Sequence, residues 1–312
     1  MERFATPRVS QRSFLPGYAS MDERIASFLQ NLATQGKSQN TIDAYRRDLK
    51  KFEAFLKKES LTLEGFEELQ IVSYTQYLME TGISKASIIR NMVTLRNFYK
   101  FLRRQGYVHE APILYHELPH LERQMPEVLT VEQINRILEA PSEKTHKGRR
   151  DRAILELLYA SGLKVSELIQ LKLDDVHLTD AFLVCVGAKG KERIIPIGRK
   201  AVDSLRNYLE IRSRISKEES DFLFTSQQGA SITRQGVWKL LKTYKDQAGI
   251  EKEVTLNTLR HSFAVHLLDN GADAKSVQEM LGHSDLQATL RYEELKKKKK
   301  LLEIYQNAHP RA

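Results

Sequence analysis

The sequence predicts a mainly α-helical protein of two domains, with a small antiparallel β-sheet in the second. Three observations lead there. From Met21 onward most of the chain repeats apolar residues at three-to-four spacing, the period of a helix with one buried face. Only two short runs, 182–186 and 193–197, are β-rich, and Gly187-Ala188-Lys189-Gly190-Lys191-Glu192 between them has the composition of a basic hairpin tip. Pro112, Pro119 and Pro126 punctuate a stretch without periodicity, and 312 residues exceed what one ordinary small core needs. The division is a flexible basic arm over 1–20, a helical domain over 21–110, a linker over 111–128 and a second domain over 129–312.

In chain order, Ile25, Phe28, Leu29 and Leu32 form the apolar face of a first helix that Gly36 ends as a C-cap glycine would. Asn40 or Thr41 caps a second, whose face is Ile42, Tyr45, Leu49, Phe52, Phe55 and Leu56. A third helix is predicted over about 71–80 and a fourth over 85–105. Beyond the linker, Thr130-Val131-Glu132-Gln133 reads as a capping box that opens a helix through Ile134, Ile137 and Leu138. A buried helix follows over 152–163 and another over 165–173. After the hairpin, helical patterns return over 201–213, 233–248, 259–270 and 274–281, and from Leu286 onward.

A formal charge of +9 and a pI near 9.4 point to a polyanionic partner, because clustered Lys and Arg release the counterions condensed on a phosphate backbone. Composition alone leaves nucleic acid and an anionic membrane surface open. Hydropathy narrows this, since no apolar run approaches the ~20 residues of a membrane-spanning helix and the opening residues lack the apolar centre of a signal peptide. The single cysteine, Cys185, excludes an internal disulfide and a thiolate zinc cluster, and it reads as an inert, buried strand residue. These features describe a protein of the reducing cytoplasm. Candidate DNA contacts are Arg46, Arg47, Arg90 and Arg96 in the first domain, and Lys191, Arg234, Lys239 and Lys242 in the second. For any one of them a merely solvated helix face is the competing reading. For the helix after Thr233 the alternative is an ordinary amphipathic element with Trp238 packed inside.

Five segments carry a resemblance. They are Leu158-Tyr159-Ala160-Ser161-Gly162-Leu163-Lys164-Val165-Ser166-Glu167-Leu168, Lys191-Glu192-Arg193-Ile194-Ile195-Pro196, Leu259-Arg260-His261-Ser262-Phe263-Ala264, Leu281-Gly282-His283-Ser284, and Tyr292. In order and spacing the chain resembles the tyrosine recombinases, in particular the bacterial Xer type, over nearly its whole length from Met21. The chemistry of that family explains the convergence. Cutting a phosphodiester without a metal requires a nucleophile, cations for the charge growing on the non-bridging oxygens, and an acid for the leaving 5′ oxygen.

The resemblance implies that Tyr292 forms a 3′-phosphotyrosyl link, that Arg260 clamps the scissile phosphate, that His283 hydrogen-bonds a phosphate oxygen, and that Glu167 orients a neighbouring cation. His261 and His266, elsewhere on the helix of Arg260, read as packing or surface residues. Three positions depart from the family's pattern. Lys164 stands where the family has its first catalytic arginine, keeping the charge but losing the planar fork. Asn257 replaces a histidine three residues before Arg260; it can donate a hydrogen bond but cannot exchange a proton. Ungapped alignment puts Ala188 where the general-acid lysine belongs, with Lys189 displaced by one residue.

The function implied is site-specific cleavage and rejoining of double-stranded DNA, in chromosome or plasmid dimer resolution or in integration, by a homo- or hetero-tetramer with a related recombinase. No cofactor, metal or membrane is implied. The resemblance implies that the last helix, with Leu301, Leu302, Ile304 and Tyr305, docks into a neighbouring subunit; the competing reading is that this stripe folds onto its own domain. The alternative from another class is a catalytically impaired recombinase-fold DNA-binding protein acting with a partner recombinase. A relaxing topoisomerase with the same chemistry is a further reading.

Overall fold

The computed structural model describes residues 20–116, 126–187, 190–215, 220–226, 228–282, 289–290 and 292. The chain divides into two compact units, Met1–Arg123 and Gln124–Ala312, each with its own hydrophobic core.

The first unit is built from α1 (Met21–Thr34), α2 (Gln39–Lys58), α3 (Glu68–Glu80) and α4 (Lys85–Arg104). Its core is aromatic: Phe52, Phe55, Phe66, Tyr74 and Tyr99 meet mostly edge to face. Two helix starts differ from the sequence expectation. Ser38, rather than Asn40 or Thr41, caps α2, because its hydroxyl accepts the Thr41 N–H at 3.2 Å. α3 begins three residues before Ile71, and its exposed Leu69, Val72 and Met79 explain why the apolar period is blurred there. The stretch read as linker also begins later than expected. Ala111 and Ile113 are buried in this core around a 3₁₀ turn at Pro112–Leu114, and Arg96 donates to the carbonyls of Ile113 and His116.

The second unit opens with α5 (Val131–Glu139), and both halves of the predicted capping box, Thr130 and Gln133, are formed. α6 (His146–Ser161) is its central helix and packs on α5, α8 and α11. It starts at the Thr145 cap, earlier than expected, because its first turns carry Lys147 and Arg150 around the buried Asp151 and so lack an apolar signature. The helix expected over 165–173 is only one turn, α7 (Val165–Leu168), followed by a 3₁₀ turn at Leu173–Asp175. The sheet is antiparallel in the order β1 (Val176–His177), β2 (Phe182–Val186), β3 (Glu192–Pro196), with Cys185 opposite Arg193 and Leu183 opposite Ile195. The helix expected over 201–213 breaks into α8 (Arg199–Leu209) and α9 (Arg212–Ile215). α10 (Arg234–Gln247), α11 (Leu256–Asp269) and α12 (Ala274–Leu281) complete the described helices, capped by Thr233, Thr255 and Asp273.

Candidate active site

The site assembles where α6, α11, α12 and β3 come together. Gly162 ends α6 at φ 59°, and a Cβ there would lie 2.4 Å from Phe263 Cδ1, so both the backbone and the packing require glycine. This sharp turn aims the Gly162 carbonyl at Arg260 on α11, which donates to it from Nη1 at 2.6 Å. Its Nη2 donates to the Leu281 carbonyl, also at 2.6 Å. Arg260 is 5% exposed; burial lowers its pKa, while Glu167 and Tyr292 oppose that shift.

Arg193 completes the frame. On β3 it shares the inward face with the buried Ile195, two residues on, while Ile194 between them is exposed. Its Nη1 and Nη2 grip Glu167 Oε1 and Oε2 at 3.1 and 2.8 Å, and its Nε donates to the Met280 carbonyl at 2.8 Å. Glu167 also accepts the Lys164 backbone N–H at 2.9 Å. Burial pushes the Glu167 carboxyl up, but the Arg193 hydrogen bonds, the Lys164 N–H and the two guanidinium charges together hold it below the ordinary carboxylate value. The carbonyls of Met280 and Leu281, at the negative end of α12, are thus each held by an arginine. Gly282 follows at φ 62°, and a Cβ on it would come within 2.9 Å of the Arg193 guanidinium carbon.

Tyr292 is buried, and its Oη lies 2.8 Å from Nδ1 of His261. Sequence reasoning placed His261 among packing or surface residues; the structure instead sets its ring against the expected nucleophile. Burial first, and the adjacent Arg260 charge second, lower the His261 pKa. His266, by contrast, braces the fold. Its Nδ1 pairs with the Tyr159 hydroxyl at 2.8 Å and its Nε2 with the Leu129 carbonyl at 3.0 Å, tying α11 to α6 and to the approach to α5.

The other expected residues are exposed around this cluster or lie beyond what is described. Lys164 is exposed at the N-cap of α7, and Asn257 is exposed in the first turn of α11, one turn before Arg260. Lys191 is exposed immediately before β3. His283, Ala188, Lys189 and the last helix with Leu301 lie outside the described residues. Glu167 pairs with Arg193, which sequence reasoning did not single out; an arginine at an inward strand position was the signal, since a buried cation needs a carboxylate.

Among the candidate DNA contacts, Arg46 and Arg47 are exposed on α2, with Arg46 paired to Asp43 at 3.0 Å. Arg90 and Arg96 also carry contacts inside the first unit. Arg90 Nε and Nη2 grip the buried Asp48 at 3.0 and 2.9 Å, and Arg96 holds backbone carbonyls, so both guanidinium groups fasten the first unit together. Arg234, Lys239 and Lys242 are exposed along α10. Trp238 is 45% exposed, with Lys242 Nζ 5.6 Å above its ring. The alternative with Trp238 packed inside is therefore corrected: Val237, Leu241 and Tyr244 form the buried face of α10. No helix among the described residues is long and apolar enough to cross a membrane.

Residues 127–299 match the family model described as Phage integrase family, and residues 25–106 match that of the Phage integrase, N-terminal SAM-like domain. The chain is 42% identical over 293 residues to Tyrosine recombinase XerD of Staphylococcus haemolyticus, covering 93% of this chain and 98% of that protein. It is 41% identical over 298 residues to Tyrosine recombinase XerD of Listeria monocytogenes, covering 94% and 100%. In fold it is similar to the XerH site-specific recombinase in a post-cleavage complex with palindromic difH substrate, at a TM-score of 0.73 and 20% identity over 92% of this chain and 84% of that one.

Proposed function

Because the chain belongs to the phage integrase family of tyrosine recombinases, we propose that Tyr292 is its nucleophile and that Arg260 is the main clamp on the scissile phosphate. The activity is site-specific recombination, in which DNA is cut and rejoined through a 3′-phosphotyrosyl link. Exchanging one phosphoester for another conserves the bond, so rejoining needs no energy source. A binding protein that barely cuts is not favoured by these relatives.

The observation that carries the residue assignment is the meeting of Tyr292 with α11 at His261, immediately after Arg260. Arg260 has five N–H donors, of which carbonyls take two, so donors remain for a phosphate. Lys164 contributes a point charge, Asn257 a neutral donor, His283 a ring donor to phosphate oxygen, and Lys189 the proton for the departing 5′ oxygen. Arg46 and Arg47 in the first unit and Lys191, Arg234, Lys239 and Lys242 in the second contact double-stranded DNA. The working assembly is a four-subunit synapse of identical or related recombinases in the cytoplasm, resolving chromosome or plasmid dimers or integrating DNA.

The test uses a nicked duplex whose site is selected from a random pool by binding to the full chain. A covalent adduct with the wild type and none with Tyr292→Phe supports the assignment. Adduct formation by both overturns it.

A further inference from the structure

The geometry points to His261 as the proton acceptor for Tyr292, a catalytic role that takes the Tyr292 hydrogen during cleavage and returns it during rejoining; this rests on Tyr292 being the nucleophile. A phenol with a pKa of about 10 is a weak nucleophile at neutral pH unless a base lies within hydrogen-bond reach. Among the described residues around this site the candidates are few. Arg260 and Lys164 are cations with no acceptor, and the Asn257 amide has no basic nitrogen. Glu167 is committed to Arg193 and to the Lys164 N–H. The His261 ring, with Nδ1 at 2.8 Å from Tyr292 Oη, has both the reach and the basicity.

Its surroundings keep the ring ready. Among the described residues, the titratable groups facing it are Arg260 on its own helix and Tyr292. Burial and the Arg260 charge disfavour the imidazolium, so at neutral pH the ring is neutral. With the ring hydrogen on Nε2, the Nδ1 lone pair faces Tyr292. A bound phosphate offsets the Arg260 charge, which raises the basicity of the ring when DNA is in place.

In cleavage the Tyr292 O–H bond breaks and Nδ1–H forms; the Oη–P bond forms and the P–O5′ bond breaks; O5′ takes its proton from a separate acid, assigned to Lys189. In rejoining, the O5′–H bond breaks with its proton passing to Lys189, the P–O5′ bond forms, and the imidazolium hands its proton back to Oη as the Oη–P bond breaks.

The experiment measures single-turnover adduct formation on two nicked duplexes of the selected site, one with the natural bridging oxygen and one with sulfur at the 5′ bridging position. Sulfur leaves without a proton, so it relieves the loss of an acid but not of a base. The variant is His261→Asn, which keeps an acceptor oxygen near the Nδ1 position and removes only the basic nitrogen. His261→Gln serves as a second variant if the first fails to bind the site as the wild type does. The expected result is unchanged site binding, with cleavage slower by about 10²-fold on both duplexes at neutral pH. The deficit should shrink as pH rises toward the phenolate range. Wild-type rates in the bound variants would overturn the assignment and leave the ring a packing group. Restoration by sulfur alone would also overturn it, because the ring would then serve the leaving oxygen. A wild-type chain that forms no adduct at all would instead overturn the Tyr292 reading, and this one with it.

Discussion

In each unit an arginine grips both oxygens of a buried carboxylate with two parallel hydrogen bonds, and the two pairs do different things. In the first unit, Arg90 on α4 reaches the buried Asp48 on α2, and Thr94 adds a third hydrogen bond at 3.0 Å. The arginine remains 44% exposed, so the pair staples one helix to another with one partner still in water. In the second unit, Arg193 and Glu167 are 12% and 8% exposed, and each has a further partner. Arg193 continues to the end of α12, and Glu167 to the start of α7. The first pair holds a fold; the second holds the segments that lead into Lys164 and toward His283.

The difference can be broken most forcefully at Arg193. Arg193→Met should strand the Glu167 charge and destabilise the second unit by about 3–5 kcal/mol, read by chemical denaturation. The acid side of the same pair is directional. Because the folded Glu167 carboxyl lies below its ordinary value, its contribution is fully present above about pH 4.3 and is lost as pH falls through the folded value. Glu167→Gln should remove that acid-side loss from the pH profile of unfolding.

A smaller effect concerns chemistry held by this frame. Lys164→Arg with Asn257→His should raise adduct formation by up to about 10²-fold, since one charge-stabilising donor is worth about 10²–10³ in rate. An unchanged or lower rate would mean that the site is built around Lys164 and Asn257 as they stand. The smallest effect is expected at the other pair. Asp48→Asn leaves the Arg90 charge solvated, so it should cost about 1–3 kcal/mol in the first unit and leave adduct formation on bound DNA within a few-fold of the wild type. A loss as large as that of Arg193→Met would erase the distinction.

The sequence reveals the helices wherever apolar period and cap agree, as at α1, α4 and the Thr130 capping box of α5. It hides them where charge or exposed apolar residues replace the period, as in the first turns of α6 around Asp151 and on the Leu69–Val72–Met79 face of α3. Of the site, the order of motifs is legible, but partnership is not. Nothing local to Arg193 names Glu167 as its partner, because the two are joined only by the packing of β3 on α7 and α12. His261 likewise looks like one more helical histidine until Tyr292 is brought against it from 31 positions along the chain. Arg90 and Arg96 lie on a basic face in sequence, and only the buried Asp48 and the carbonyls after Ala111 show that some of their donors are also used internally.

The proposed role of Tyr292 as the nucleophile held by this frame is tested by digesting the trapped protein–DNA adduct and reading its peptides by mass spectrometry. The expected product is a nucleotide linked by its 3′ phosphate to the Tyr292 peptide; an adduct on any other side chain, or one that persists in Tyr292→Phe, refutes that role.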